Sequence, residues 1–84
     1  LTWAAYRGNL SIANLLLQAG ATVDAVTDTG WTALHYAAEG GKIQVVEALL
    51  NAGADKALKK KNGKTALDLA QEEGHPAIVK LLRD

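Results

Sequence analysis

Apolar residues recur along the chain at helical spacing, and the pattern returns at a fixed interval. Val45, Val46, Leu49 and Leu50 fall on one stripe, which predicts a helix from about Ile43 to Asn51. Before it, Ala33 to Glu39 predicts a shorter helix of about two turns. Thr32 stands as its N-cap, with His35 at the third helical position. Asp28-Thr29-Gly30 is a turn signal, Gly40-Gly41 breaks the two helices apart, and Gly53 stops the second in the left-handed region. The same signals repeat 33 residues away: Gly30 with Gly63, Thr32 with Thr65, Leu34 with Leu67, Ala37 with Ala70, and Gly20-Ala21 with Gly53-Ala54. Three-fold series run Gly8, Gly41, Gly74; Ile12, Val45, Ile78; and Leu16, Leu49, Leu82. A single interval over the whole chain means stacked modules that touch only their neighbours.

The third copy keeps the cap as Thr65 and Asp68, and an acid in a first turn suits the helix dipole. Pro76 falls in the first turn of its second helix, where a missing N–H costs nothing. Ala4, Ala37 and Ala70, with Ala5 and Ala38, line one side of the first helices and let them approach closely. The leucine and valine faces of the second helices fill the space between modules. Neither helix can bury its apolar face in an isolated module.

Composition narrows the class. With 84 residues the chain holds one small domain, with a thin core that buries roughly 60–65% of the unfolded surface. Alanine and leucine dominate, phenylalanine is absent and aromatics are 5%, which favours packed helices over a sheet. There is no cysteine, so neither a disulfide nor a thiolate metal site is available. A formal net charge of +0 argues against nucleic acid or membrane binding by bulk charge. No apolar run approaches the ~18 residues of a membrane span, and no leader segment is visible. The chain starts at Leu1 and has no methionine, so a processed product or an excised piece is expected.

Thr32-Ala33-Leu34-His35-Tyr36-Ala37-Ala38, Gly41, Val45-Val46, Leu49-Leu50 and Gly53-Ala54-Asp55 closely resemble the ankyrin repeat. Gly63, Thr65-Ala66-Leu67-Asp68-Leu69-Ala70, Gly74-His75, Ile78-Val79 and Leu81-Leu82 match again, as do Leu1 to Ala5, Gly8, Leu16-Leu17 and Gly20-Ala21. The resemblance implies an all-α solenoid of helix-turn-helix units joined by hairpin-like fingers. A partial first repeat over 1–26, a complete one over 27–59 and a C-terminal capping-like one over 60–84 are expected. It also implies a non-catalytic intracellular protein, of cytoplasm or nucleus, that binds a protein through finger tips and the exposed side of the first helices. Ala33 and Ala66 replace the family's proline, and Asp68 its histidine. Asp24 and Ala57 stand at the finger asparagine, so that turn is expected to be held less tightly. Gln71, Lys80 and Arg83 are polar where an interior repeat is apolar, as in a repeat whose outer face meets water.

Candidate chemistry is sparse. His35 is explained as a capping residue, and His75 lies beside a helix start as a structural or solvated group. The two lack metal-ligand spacing, so no metal or cofactor is expected. Glu72 and Glu73 point different ways on a helix end, and Ser11 has no histidine near it, so no catalytic set is expected. Lys59, Lys60, Lys61 and Lys64 crowd the second finger, as a solubilising tip or as a contact for an acidic protein segment or a phosphate. Nucleic acid is not favoured, because no aromatics interleave them. Trp31 occupies the first finger where Lys64 occupies the second, and is expected to be an exposed partner anchor, with packing across the finger as the other reading. Trp3 and Tyr36 align with Leu69 and are expected to pack between repeats.

Positions that differ between copies are free to encode a partner. On the fingers these are Asp28, Thr29 and Trp31 against Lys61, Asn62 and Lys64, with Lys60 beside them; on the first helices they are Tyr6, Arg7, Glu39, Glu72 and Glu73. The expected function is protein interaction through this face. The alternatives are a regulatory segment holding a phosphorylated small molecule and a structural spacer. Leu1, Trp3 and Leu10 predict an exposed apolar N-terminal edge with weak self-association.

Overall fold

The computed structural model describes residues 1–83. Six helices follow one another: α1 (Thr2–Arg7), α2 (Leu10–Gln18), α3 (Ala33–Gly40), α4 (Ile43–Asn51), α5 (Ala66–Glu73) and α6 (Pro76–Arg83). No strand occurs among the described residues, so the fold is all-helical. Two residues separate the helices of each pair, which turns the chain back on itself. The first helices stack side by side, with α3 between α1 and α5, and α4 likewise lies between α2 and α6.

Two of the first helices, α3 and α5, start at side-chain caps, whereas α1 starts at Leu1 without one. Thr32 Oγ1 accepts from the His35 N–H at 3.2 Å, and the His35 ring reaches back to the Thr32 N–H at 3.0 Å. Thr65 and Asp68 repeat the device, with the carboxylate accepting from the Thr65 N–H at 3.0 Å. That bond leads the causes that hold Asp68 below the usual carboxylate range. Asn9 caps α2 by accepting from the Ile12 N–H. The predicted α4 boundaries match, whereas α3 runs on through Gly40, and the break falls at Gly41.

The core is a sheet of small residues between the first helices and a leucine–valine seam between the second ones. Ala5, Ala37, Ala38 and Ala70 are fully buried, as are Val46 and Leu49. Ile78 and Leu82 close the seam in the last repeat. Gln71, Lys80 and Arg83 are exposed there, as expected of an outer face.

Neighbouring repeats also interlock through a repeated glycine. Gly8, Gly41 and Gly74 end the first helices with φ of 71°, 73° and 73°. The side chain that follows in the next repeat lies on that glycine: Lys42 over Gly8, His75 over Gly41. His75 Nε2 then donates to the Glu39 carbonyl at 3.0 Å. Of the two readings left for His75, structural or solvated, the first holds: the ring is a clamp between repeats. Gly74 has nothing within 4 Å of the corresponding position.

Hydrogen bonds tie the connections as well. The Lys61 N–H donates to the Thr29 carbonyl, finger to finger, at 3.2 Å. Asp24 Oδ1 accepts from the Asp55 N–H at 3.0 Å. The expectation of a loosely held turn at Asp24 is thus wrong, because the carboxylate spans two successive turns itself. The N-terminal edge is only partly as expected. Leu1 and Leu10 are half-buried against the core, while Trp3 and Leu15 are 61% and 64% exposed.

Candidate functional site

Each finger is a short reversed turn. In the first, the Thr27 N–H donates to the Trp31 carbonyl and the Gly30 N–H to the Thr27 carbonyl, both at 2.9 Å. In the second, Lys60 and Gly63 donate to Lys64 and Lys60 in the same pattern. Gly30 takes a positive φ of 82° that lets the first turn close, and the backbone of Lys60 and Lys61 lies against it. The turn thereby fixes where Trp31 leaves the first finger and where Lys60 leaves the second.

Trp31 does not stand free at the finger, which corrects the expectation of an exposed anchor. It is half-buried, stacked on Tyr36 of α3 with ring centroids 4.6 Å apart and planes 20° from parallel. Its other neighbours are the His35 ring, edge-on at 6.2 Å, and Lys60, whose Nζ lies 4.3 Å from the indole centroid. A cation over an indole is attracted by the ring quadrupole, so Lys60 is held across the finger.

The aromatic run continues onto α1. Tyr6 meets Tyr36 edge-on at 5.7 Å, and is 60% exposed. Trp3, expected to pack between repeats, is instead exposed, because no helix among the described residues covers that side of α1. Its equivalent Leu69 is buried, with α3 packed against its helix. Thr2, Trp3, Tyr6 and Tyr36 line a groove of about 330 Å³. The Arg7 guanidinium lies 5.9 Å from the Trp3 ring centroid. The comparison of copies named Tyr6 and Arg7 and set Trp3 between repeats, whereas the reading of Leu1, Trp3 and Leu10 as an apolar N-terminal edge already placed it at the surface. Its position at the start of the first helix series was the available signal.

The remaining candidates divide. Lys64 Nζ and Glu72 form an ion pair at 2.6 Å, both partly exposed. Asn62 Oδ1 accepts from the Lys64 N–H at 3.1 Å and so holds the second turn. Thr29 makes a 3.3 Å hydroxyl contact with Thr27, and its carbonyl receives Lys61. Asp28, Lys61 and Glu73 are exposed, and Glu39 is half-buried. The lysines of the second finger do not converge on one point: Lys60 turns to Trp31 and Lys64 to Glu72.

His35 serves structure. Its Nδ1 accepts from Thr32, and Nε2 donates to the Lys64 carbonyl at 3.2 Å, joining the second repeat to the second finger. Burial pushes its pKa below the ordinary value, outweighing the bonds to backbone carbonyls that raise it. No group of three or more potential metal ligands occurs among the described residues.

Paired short helices with a threonine cap, a left-handed glycine and a finger every 33 residues define one architecture. A family model described as ankyrin repeats (3 copies) matches residues 1–84. The chain belongs to the ankyrin repeat family. A search of curated proteins found no match to it. Ankyrin repeats are in general protein–protein interaction modules. No helix among the described residues is long and apolar enough to cross a membrane.

Proposed function

We propose that this ankyrin chain is a non-catalytic interaction module that takes a protein segment along the first helices and the fingers. The repeat frame of 1–26, 27–59 and 60–84 sets the order of contacts along that face. The observation that carries the reading is the aromatic run of Trp3, Tyr6, Tyr36 and Trp31, with Trp3 and Tyr6 exposed at 61% and 60%. Two large rings open to water, Tyr6 held edge-on against Tyr36 and Trp3 beside it in the same groove, make a preformed apolar surface. Such surfaces supply the buried core of interfaces, where aromatic side chains dominate affinity. Trp31 acts as the platform beneath Tyr36, and Tyr6 and Trp3 as the anchors a partner covers.

The test is selection of a displayed random-peptide library on the folded chain, followed by affinity measurement of the selected peptides. Tyr6→Ala and Trp3→Ala are expected to weaken binding by at least roughly 30-fold, the equivalent of a hot spot near 2 kcal/mol. Leu15→Ala, an exposed apolar change on α2, leaves it unchanged. Peptides that depend on Leu15 and not on Tyr6 place the site on the second-helix side and refute the reading.

A further inference from the structure

The charges around the aromatic run say what kind of segment fits it. Among the described residues one ion pair is formed, Lys64 with Glu72, and it belongs to the last repeat. The two cations that touch the aromatic run make a different choice. Arg7 lies over Trp3 at 5.9 Å and Lys60 over Trp31 at 4.3 Å, each against a ring rather than a carboxylate. A cation over a ring keeps its charge, because that contact is weak; Arg7 is exposed and Lys60 only half-buried, so each still has a side toward water. An arriving carboxylate pairs with it without first breaking an ion pair. Between them the groove of Thr2, Trp3, Tyr6 and Tyr36 offers apolar rings at the lower end of the volumes that hold a ligand, about 330 Å³. That is room for one or two side chains, not for a folded domain. The face has carboxylates too, Asp28 at the tip of the first finger and Glu39 at the end of α3; these lie outside the groove lining, as do Arg7 and Lys60, but the two cations are the charges set over rings of the run.

We infer that the groove takes an extended acidic peptide segment, with an apolar side chain seated among Trp3, Tyr6 and Tyr36 and acidic residues on both sides of it meeting Arg7 and Lys60. The inference rests on the interaction face argued above and adds the chemistry of the occupant. The rings hold the apolar residue by contact area. The flanking cations select the sign of charge and speed the encounter.

Its test reads the composition of the library-selected peptides and the charge response of their binding. The expected result is enrichment of Asp and Glu on either side of an apolar position. A synthetic peptide of the enriched sequence binds at least about tenfold more weakly to Arg7→Glu/Lys60→Glu, the size of two opposed charges at close range in a partly screened site. Its binding also weakens as salt rises. Arg7→Gln/Lys60→Gln, a milder change, gives a smaller loss in the same direction while far-UV circular dichroism stays unchanged. Peptides that need Tyr6 but are neutral or basic, or that ignore both charge variants, overturn the acidic assignment and leave the interaction face standing. Absence of any Tyr6-dependent peptide overturns both.

Discussion

Gly41→Ala tests the interlock between repeats, and Gly74→Ala supplies its control. Both glycines end a first helix with φ of 73°, so both substitutions meet the same backbone strain. An L-residue in the left-handed region costs about 1–2 kcal/mol. Restricting the unfolded chain returns about 0.4–1 kcal/mol. The net loss at Gly74, where nothing lies within 4 Å of the new carbon, is therefore about 1 kcal/mol. At Gly41 the new carbon falls 2.8 Å from His75 Cε1 and 3.0 Å from Nδ1. The ring cannot stay, and moving it breaks the 3.0 Å bond to the Glu39 carbonyl. That adds about 0.5–1.5 kcal/mol, with some loss of packing besides. Gly41→Ala should thus lower stability by about 2–3 kcal/mol, clearly more than Gly74→Ala. Urea denaturation followed by far-UV circular dichroism measures both. In a His75→Ala background the difference between the two glycines should disappear. Equal losses in the wild-type background, or a difference that survives His75→Ala, would refute the interlock.

Leu49→Ala, at a fully buried side chain, should cost about 2–5 kcal/mol, whereas Leu15→Ala at an exposed one stays within about 0.5 kcal/mol; chemical denaturation decides. Stability should also fall on acidification. His35 has a folded pKa below its ordinary 6.5, so the unfolded chain binds the proton first; its contribution is complete above that value and is lost as pH drops from there toward the folded pKa. Asp68 is depressed below 3.8, so its contribution is complete above that value and lost only below it, as pH falls through the folded pKa. His35→Asn should flatten the upper of these two phases in a melting-temperature profile, and an unchanged profile would count against the buried neutral ring. Trp31→Ala should lower the melting temperature as well as peptide affinity, because Trp31 is the base of the stack; Trp3→Ala should lower affinity alone. An unchanged melting temperature in Trp31→Ala would return Trp31 to the role of a free anchor.

The helices and their order were legible because several are announced locally, though α1 and α4 carry no side-chain cap. Thr32 with His35 and Thr65 with Asp68 are caps within three residues, and Pro76 lies at the first turn of α6. The 33-residue interval then carried the reading of one repeat onto the others. The turn at Asp24 was misjudged, and His75 was left between a structural and a solvated reading, for a shared reason. Both side chains bond a neighbouring repeat, Asp24 at Asp55 and His75 at Glu39, and no local pattern shows a bond across more than thirty residues. Trp3 drew two expectations, packing between repeats by alignment and an exposed N-terminal edge, and the second held; alignment erred because it transfers environment along with position. The helix of Leu69, α5, packs against the first helix of the preceding repeat, α3, whereas among the described residues no preceding first helix lies beside α1.

The recognition face was half legible, and what was missing is how its positions pair. The position held by Trp31 in the first finger is held by Lys64 in the second, and the position of Tyr6 returns as Glu39 and Glu72. Comparison of copies therefore finds the positions that vary, but treats each as an independent variable. In space they are coupled. Lys64 takes Glu72 as an ion pair, while Trp31 and Tyr6 meet on either side of Tyr36 as stacked and edge-on rings. The same scaffold thus carries an ion pair at its C-terminal end and an aromatic surface at its N-terminal end. An exposed ion pair is worth about 0–1 kcal/mol and must be desolvated when a partner covers it. Exposed rings gain by being covered, through about 25 cal/mol for each Å² of apolar surface withdrawn from water. On the proposed function, binding energy on this face is therefore expected to concentrate toward α1 and the first finger. The Lys64–Glu72 pair is then expected to contribute little beyond keeping both charges from competing for the proposed segment.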